Sequence, residues 1–124
     1  MQIKIKATNM DLTDALKAYV EEKINSVEKF TVPHEKEVPL AEVEIGKTTK
    51  HHNVGDVFRA EVNLSVRGKR YRAVSEKDDL YAAIDDVRNE LVREINSVKG
   101  KERTLVRRGS SMLKNLIRFG KGNK

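Results

Sequence analysis

The chain's 124 residues suffice for one domain with a modest core, and the absence of cysteine excludes a disulfide framework and a thiolate metal site. No apolar run approaches bilayer-spanning length and residues 1–10 lack the apolar segment of a signal peptide, so a soluble, cytoplasmic protein with no membrane partner is expected. The net charge of +6 conceals an asymmetry, because residues 1–98 hold 16 Lys and Arg against 18 Asp and Glu whereas residues 99–124 hold 9 against Glu102 alone; a near-neutral globule with a basic arm points to a polyanion, most often nucleic acid.

Residues 2–7 alternate polar and apolar, the period of a half-buried strand with Ile3, Ile5 and Ala7 inward. Asn9, Met10 and Asp11 form a turn, and Asp11 or Thr13 is placed to cap a first helix over about 12–30. Leu12, Leu16, Val20, Ile24 and Val27 make its apolar stripe. Lys23 falls inside that stripe. It reads as a side chain whose stem packs and whose amine snorkels past the sheet edge, and as a phosphate contact at that edge, two readings that can coexist. Residues 31–39, with two prolines, are a loop. A second strand over 40–47 turns Ala41, Val43 and Ile45 inward. After a polar connection over 48–55, residues 57–67 form the clearest strand. Gly68-Lys69 is a tight turn, and residues 70–74 return with Tyr71 and Ala73 inward. Ser75 to Asp78 has the spacing of a capping box. A second helix follows to about Val98 on a stripe of Leu80, Ile84, Val87, Leu91, Ile95 and Val98. Gly100, Gly109, Gly120 and Gly122 break up the tail, in which residues 111–119 can form a short amphipathic helix. Nine residues are too few for such a helix to stand alone in water. The expected fold class is α+β, in the order β-α-β-β-β-α, with a four-stranded, largely antiparallel sheet and both helices on one face. The domain is expected over 1–101 and the basic tail over 102–124.

Catalytic chemistry has little support. There is no phosphate-cradling Gly-rich loop and no nucleophile elbow. His34, His51 and His52 lie in loops and lack a third ligand of metal-site spacing. Asp78-Asp79 and Asp85-Asp86 suit the first turns of a helix, where the dipole favours carboxylates. No enzyme activity, small-molecule substrate, cofactor or metal is expected. The basic residues carry the functional reading instead. Lys and Arg on helices and in a tail neutralise phosphates without reading bases. Lys4, Lys6, Arg59, Arg67, Arg70 and Arg72 outnumber Glu42, Glu44 and Glu61 on the open sheet face, although charged faces are often merely solvated. With few exposed aromatics, backbone and shape recognition of folded RNA fits better than base stacking.

The run Asp78-Asp79-Leu80-Tyr81-Ala82-Ala83-Ile84-Asp85 resembles the second-helix signature of the ribosome hibernation factors, the hibernation-promoting factor and ribosome-associated inhibitor family. Tyr71-Arg72-Ala73 before it, and Leu12-Thr13-Asp14-Ala15-Leu16 with Lys17, Lys23 and Lys29 after it, fit as well, so the resemblance covers about residues 1–101. It implies a fold like the double-stranded-RNA-binding domain. It also implies binding to the small ribosomal subunit and its 16S-type rRNA, in the decoding channel over the A and P tRNA sites, where such proteins block mRNA and tRNA and preserve idle ribosomes. Relatives often carry Lys where this chain has Ser26, Glu90 and Ser97, while Arg93, Lys99 and Lys101 remain; the tail is the expected replacement. The expected RNA-binding set is therefore Lys17, Lys23, Lys29, Arg67, Arg70, Arg72, Arg88, Arg93, Lys99, Lys101, Arg103, Arg107 and Arg108. The residues after the domain are too few for the separate domain that pairs ribosomes in long members, so a short-form, monomeric protein is expected. Two alternatives stand beside this reading: another RNA-binding module such as an RNA chaperone, and a protein-interaction module docking through its tail helix.

Overall fold

The computed structural model describes residues 1–31, 37–48 and 55–122, with side-chain surroundings through residue 101. The three histidines lie outside the described residues. Strand β1 (Gln2–Thr8) leads to helix α1 (Asp14–Asn25) and a 3₁₀ turn (Glu28–Phe30). Strands β2 (Leu40–Thr48), β3 (Val57–Val66) and β4 (Lys69–Lys77) follow, and helix α2 (Leu80–Gly122) ends the described chain. The sheet order is β1-β2-β3-β4. β1 pairs parallel to β2, and the other two pairings are antiparallel. The α+β class and the element order expected from the sequence are therefore those of the molecule.

Side-chain alternation decides which face of the sheet is covered. Ala41, Val43 and Ile45 on β2, Ala60, Val62 and Leu64 on β3, and Tyr71 and Ala73 on β4 are all buried. Leu16, Val20 and Ile24 of α1 and Leu80, Ile84, Val87, Leu91 and Ile95 of α2 join them in one core. Both helices thus lie on one sheet face, and the opposite face is open.

Four local expectations are corrected. The first helix does not run to Phe30, because α1 stops at Asn25. Ser26 turns its hydroxyl back onto the Lys23 carbonyl, competing with the helical bonding pattern. The chain then tightens into i→i+3 bonds from Val27 to Ile24 and from Phe30 to Val27. At the other end Thr13, one of the two expected caps, accepts from the Leu16 amide at 3.2 Å.

The hairpin turn is Arg67-Gly68, not Gly68-Lys69, because Val66 and Lys69 are register partners. Both turn residues have positive φ, 51° and 76°. This is the signature of the turn that matches strand twist, at which Gly is favoured and Arg is not.

The capping box does not form. Ser75 sits inside β4 opposite Ala60, and Asp79 caps α2 by accepting from the Tyr81 amide at 3.1 Å. Ser75 is instead buried, and its hydroxyl has no partner among the described residues. Ser75→Ala removes that unsatisfied group and is expected to raise stability by about 1 kcal/mol in urea denaturation.

The fourth correction concerns α2, which passes through Gly100 and reaches Gly122. One interior glycine costs a helix about 1 kcal/mol relative to alanine, too little to end it. At 1.5 Å per residue this helix is about 64 Å long, while its sheet, at 3.3 Å per residue, is about 33 Å deep. Roughly half of α2 therefore outruns the sheet.

Candidate nucleic-acid interface

The expected RNA-binding residues divide among four places. On the helical layer, α1 presents Lys17, which is exposed, and Lys23, which is half-buried. Lys29 follows in the 3₁₀ turn with its ammonium 5.2 Å from the centre of the Phe30 ring. Across from them α2 presents Arg88. The helices are clasped by side chains from successive turns. Tyr19 donates its hydroxyl to Asp85 Oδ1 at 2.6 Å, and Lys23 Nζ lies 3.6 Å from the same oxygen. Arg88 Nε donates to Ser26 Oγ at 2.9 Å, and its guanidinium lies 5.6 Å from the Phe30 ring centre. The Tyr19 and Tyr81 rings meet edge to face at 4.7 Å. Lys23 thus pairs with a carboxylate on the neighbouring helix. The helix–helix groove beside this clasp is lined by Glu22, Lys23, Ser26, Asp85, Arg88 and Asn89. Two carboxylates oppose its two cations, which makes it a poor anion pocket.

The hydrogen bond to Asp85, then burial, then the negative charges of Asp85, Glu22 and Asp79 push the Tyr19 hydroxyl from 10.0 up to about 12. Folding thus favours the neutral phenol. Its contribution is complete below about pH 10 and is lost as pH rises toward 12. The stability difference between the protein and its Tyr19→Phe variant should stay constant from pH 8 to 10 and close between pH 10 and 12. Thermal denaturation of both proteins across that range measures it.

The second place is the open sheet face, which holds Arg70 and Arg72. Strand register puts Lys4, Lys6, Arg59, Arg70 and Arg72 there, and with them Glu42, Glu44, Glu61 and Glu76. Five cations against four carboxylates leave almost no net field. Arg59 and Arg72 both bind Glu61 Oε1, at 2.6 and 3.2 Å, and Arg59 also reaches Glu76 at 4.0 Å. The hydrogen bond from Arg59, aided by Asn63 and Arg72 and opposed by partial burial, holds the Glu61 carboxyl below its ordinary value. This locked lattice is a weak candidate for binding phosphate. The excess of cations read from the sequence narrows because Arg67 belongs to the turn and Glu76 belongs to the face.

Third, Arg67 and Lys99 meet at the end of the sheet, together with Lys69. Lys69 escaped the sequence reading because it was assigned to the turn itself. Lys101, exposed, follows two residues later. Fourth, Arg93 stands on the outer face of α2, paired with Glu90 at i,i+3. Arg103, Arg107 and Arg108 belong to the helical extension. No cluster of three metal-ligating side chains occurs among the described residues, and no helix among them is long and apolar enough to cross a membrane.

Comparison with known proteins adds a separate line of observation. The family described as Sigma 54 modulation protein / S30EA ribosomal protein matches residues 3–103. The ribosome hibernation promotion factor of Staphylococcus aureus (strain COL) is 30% identical over 99 residues, 80% of this chain and 48% of that protein. The chain thus spans about half the length of this curated relative. Among solved structures, the N-terminal domain of Thermus thermophilus Protein Y superposes with a TM-score of 0.66 at 28% identity, over 79% of this chain and 99% of that domain. A ribosomal subunit interface protein from Coxiella burnetii shares the fold with a TM-score of 0.64 at 19% identity, over 81% of this chain and 99% of that one.

Proposed function

Because the chain belongs to the Sigma 54 modulation protein / S30EA ribosomal protein family, we propose that it is a ribosome-binding hibernation factor. It acts in the cytoplasm without catalysis. It occupies the decoding channel of the small subunit over the A and P tRNA sites, excludes mRNA and tRNA, and keeps idle ribosomes intact. The observation that carries this reading is the segregation of charge. Residues 1–98 sum to −2 while residues 99–124 sum to +8, and residues 99–122 are one continuous helical arm of the domain. An arm of that sign and length tracks a phosphate backbone. The helical layer, with Lys17, Lys23, Lys29 and Arg88, supplies the second contact, and Arg93, Lys99 and Lys101 connect the two.

Ribosome profiles on sucrose gradients, with and without the protein, test the proposal. The protein should sediment with small subunits and inactive ribosomes, and a tRNA–mRNA complex in the channel should displace it. Co-sedimentation unaffected by saturating mRNA and tRNA would place it elsewhere and overturn the decoding-channel assignment. A second reading, a protein-docking helix, is favoured by the continuation of α2 past the sheet. Binding that survives both high salt and nuclease would mark it.

A further inference from the structure

Each edge of an open sheet carries a row of unpaired backbone groups, and proteins protect such edges with like charges, prolines or bulges. The two edges of this sheet differ in that respect. β1, at one edge, presents Lys4 and Lys6 on the open face and has no carboxylate of its own. A copy of the same strand set against it brings lysine to lysine and is repelled. β4, at the other edge, is nine residues long. It has no proline, no glycine and no break in its register with β3. Between Arg70 and Glu76, no described backbone group bonds to its outer side.

The hairpin turn fixes which of these groups face outward. Val66 and Lys69 flank the turn as register partners, so they exchange hydrogen bonds, and pairing alternates from there. Tyr71, Ala73 and Ser75 therefore direct their N–H and C=O toward β3. Arg70, Arg72, Val74 and Glu76 direct theirs outward, and their side chains lie on the open face. In order these four read cation, cation, apolar, anion, and exposed Asp78 follows the strand. Val74 is one of the large apolar side chains left exposed.

An antiparallel copy of β4 matches that series. With Val74 opposite Val74 on a twofold axis, Arg72 meets Glu76 and Arg70 meets Asp78, each pair twice, and the two valines cover each other. Arg70 and Asp78 hold no ion pair among the described residues. Arg72 and Glu76 already touch Glu61 and Arg59, yet their side chains are still 62% and 43% exposed. Other registers are poorer. An odd shift turns core-side residues to the open face, and a shift of two loses the Val74 contact. A shift of four sets Arg72 opposite Arg72 or Glu76 opposite Glu76.

We infer that the outer edge of β4 is a self-association surface, through which two copies of this chain join antiparallel about Val74 and make their sheets continuous. The occupant is a second copy because the edge complements its own sequence, charge for charge. This replaces the monomer expected from the sequence, and it does not rest on the ribosomal reading above.

Sedimentation velocity of the full chain, over a concentration series reaching the millimolar range, tests it. A monomer–dimer equilibrium is expected. Arg72→Glu and Glu76→Arg should each weaken the dimer at least tenfold by facing like charges across the axis, and the double variant should restore it. Val74→Pro removes an outward N–H and no bond to β3, so it should abolish the dimer and keep the fold. If that variant fails to fold, the charge cycle and cross-linking decide. In a chain without cysteine, Val74→Cys should cross-link as a dimer on oxidation, and Lys4→Cys on the opposite edge should not. Three results overturn the inference: a chain monomeric throughout the series, a dimer that the charge variants leave unchanged, or cross-linking as ready from Lys4→Cys as from Val74→Cys.

Discussion

A chain lacking residues 102–124 is expected to bind ribosomes with a markedly flatter salt dependence. The deletion removes seven Lys and Arg and one Glu. Each phosphate neutralised adds about 0.7–0.9 to the slope of log affinity against log salt, so seven contacts account for a slope of about 5. Between 50 and 200 mM salt, that difference makes the intact protein lose about 10³-fold more affinity than the truncated one. Filter binding or sedimentation across a salt series measures both slopes. Identical slopes would remove the arm from the interface and leave the helical layer as the whole of it. The fold should tolerate the cut, because the stripe that covers the sheet is complete by Val98.

Leu91→Ala should cost the domain about 3–5 kcal/mol, as truncations at fully buried leucines do. Leu91 has no exposed surface and lies midway along the covered part of α2, between Val87 and Ile95. Against a total stability of about 5–15 kcal/mol for a domain, such a loss brings the protein near unfolding at physiological temperature. Arg93→Ala, two positions on, supplies the contrast. It breaks an exposed i,i+3 pair with Glu90 and should cost no more than about 0.5 kcal/mol. Urea denaturation of the two variants reads the difference directly. Similar losses at both positions would mean that α2 does not sit on the sheet through the face containing Leu91.

The strands were legible because alternation over 40–47 and 57–66 leaves one choice of face, and the core side of β2 and β3 followed at once. Local chemistry was less transparent. Ser26 reads as an ordinary surface position of α1 until its hydroxyl is seen on the Lys23 carbonyl. Ser75 and Asp78 have capping-box spacing, yet the hydrogen bonds of β4 hold Ser75 in the sheet. Gly100 and Gly109 look like stops, and a well-formed helix outweighs them. Arg67 hid the turn because arginine seldom takes a left-handed conformation. For the candidate interface, residue type was legible and grouping was not. Lys23 and Tyr19 find Asp85 more than sixty residues away, and Arg72 is tied down by a glutamate on the next strand. Which cations are already occupied depends on such long-range partners, and spacing along the chain carries no record of them.

The position of β1 bears on how the molecule is built and opened. β2, β3 and β4 are sequential neighbours, whereas Ile3 must find Ala41 across the whole of α1 and the loop after it. Closing that longer loop carries the larger entropic cost, and non-local pairings form late. The meander with α2 on its back is therefore the first unit to assemble, and β1 with α1 is the last. Read in reverse, the same order gives the lowest-energy opening. Native-state hydrogen exchange should show β1 and α1 amides exchanging together, ahead of those in β3 and in the sheet-covering half of α2. That opening carries away Lys17, Lys23 and Lys29 while α2 and its arm stay folded, so a partly open molecule could keep its grip on a polyanion through one half alone.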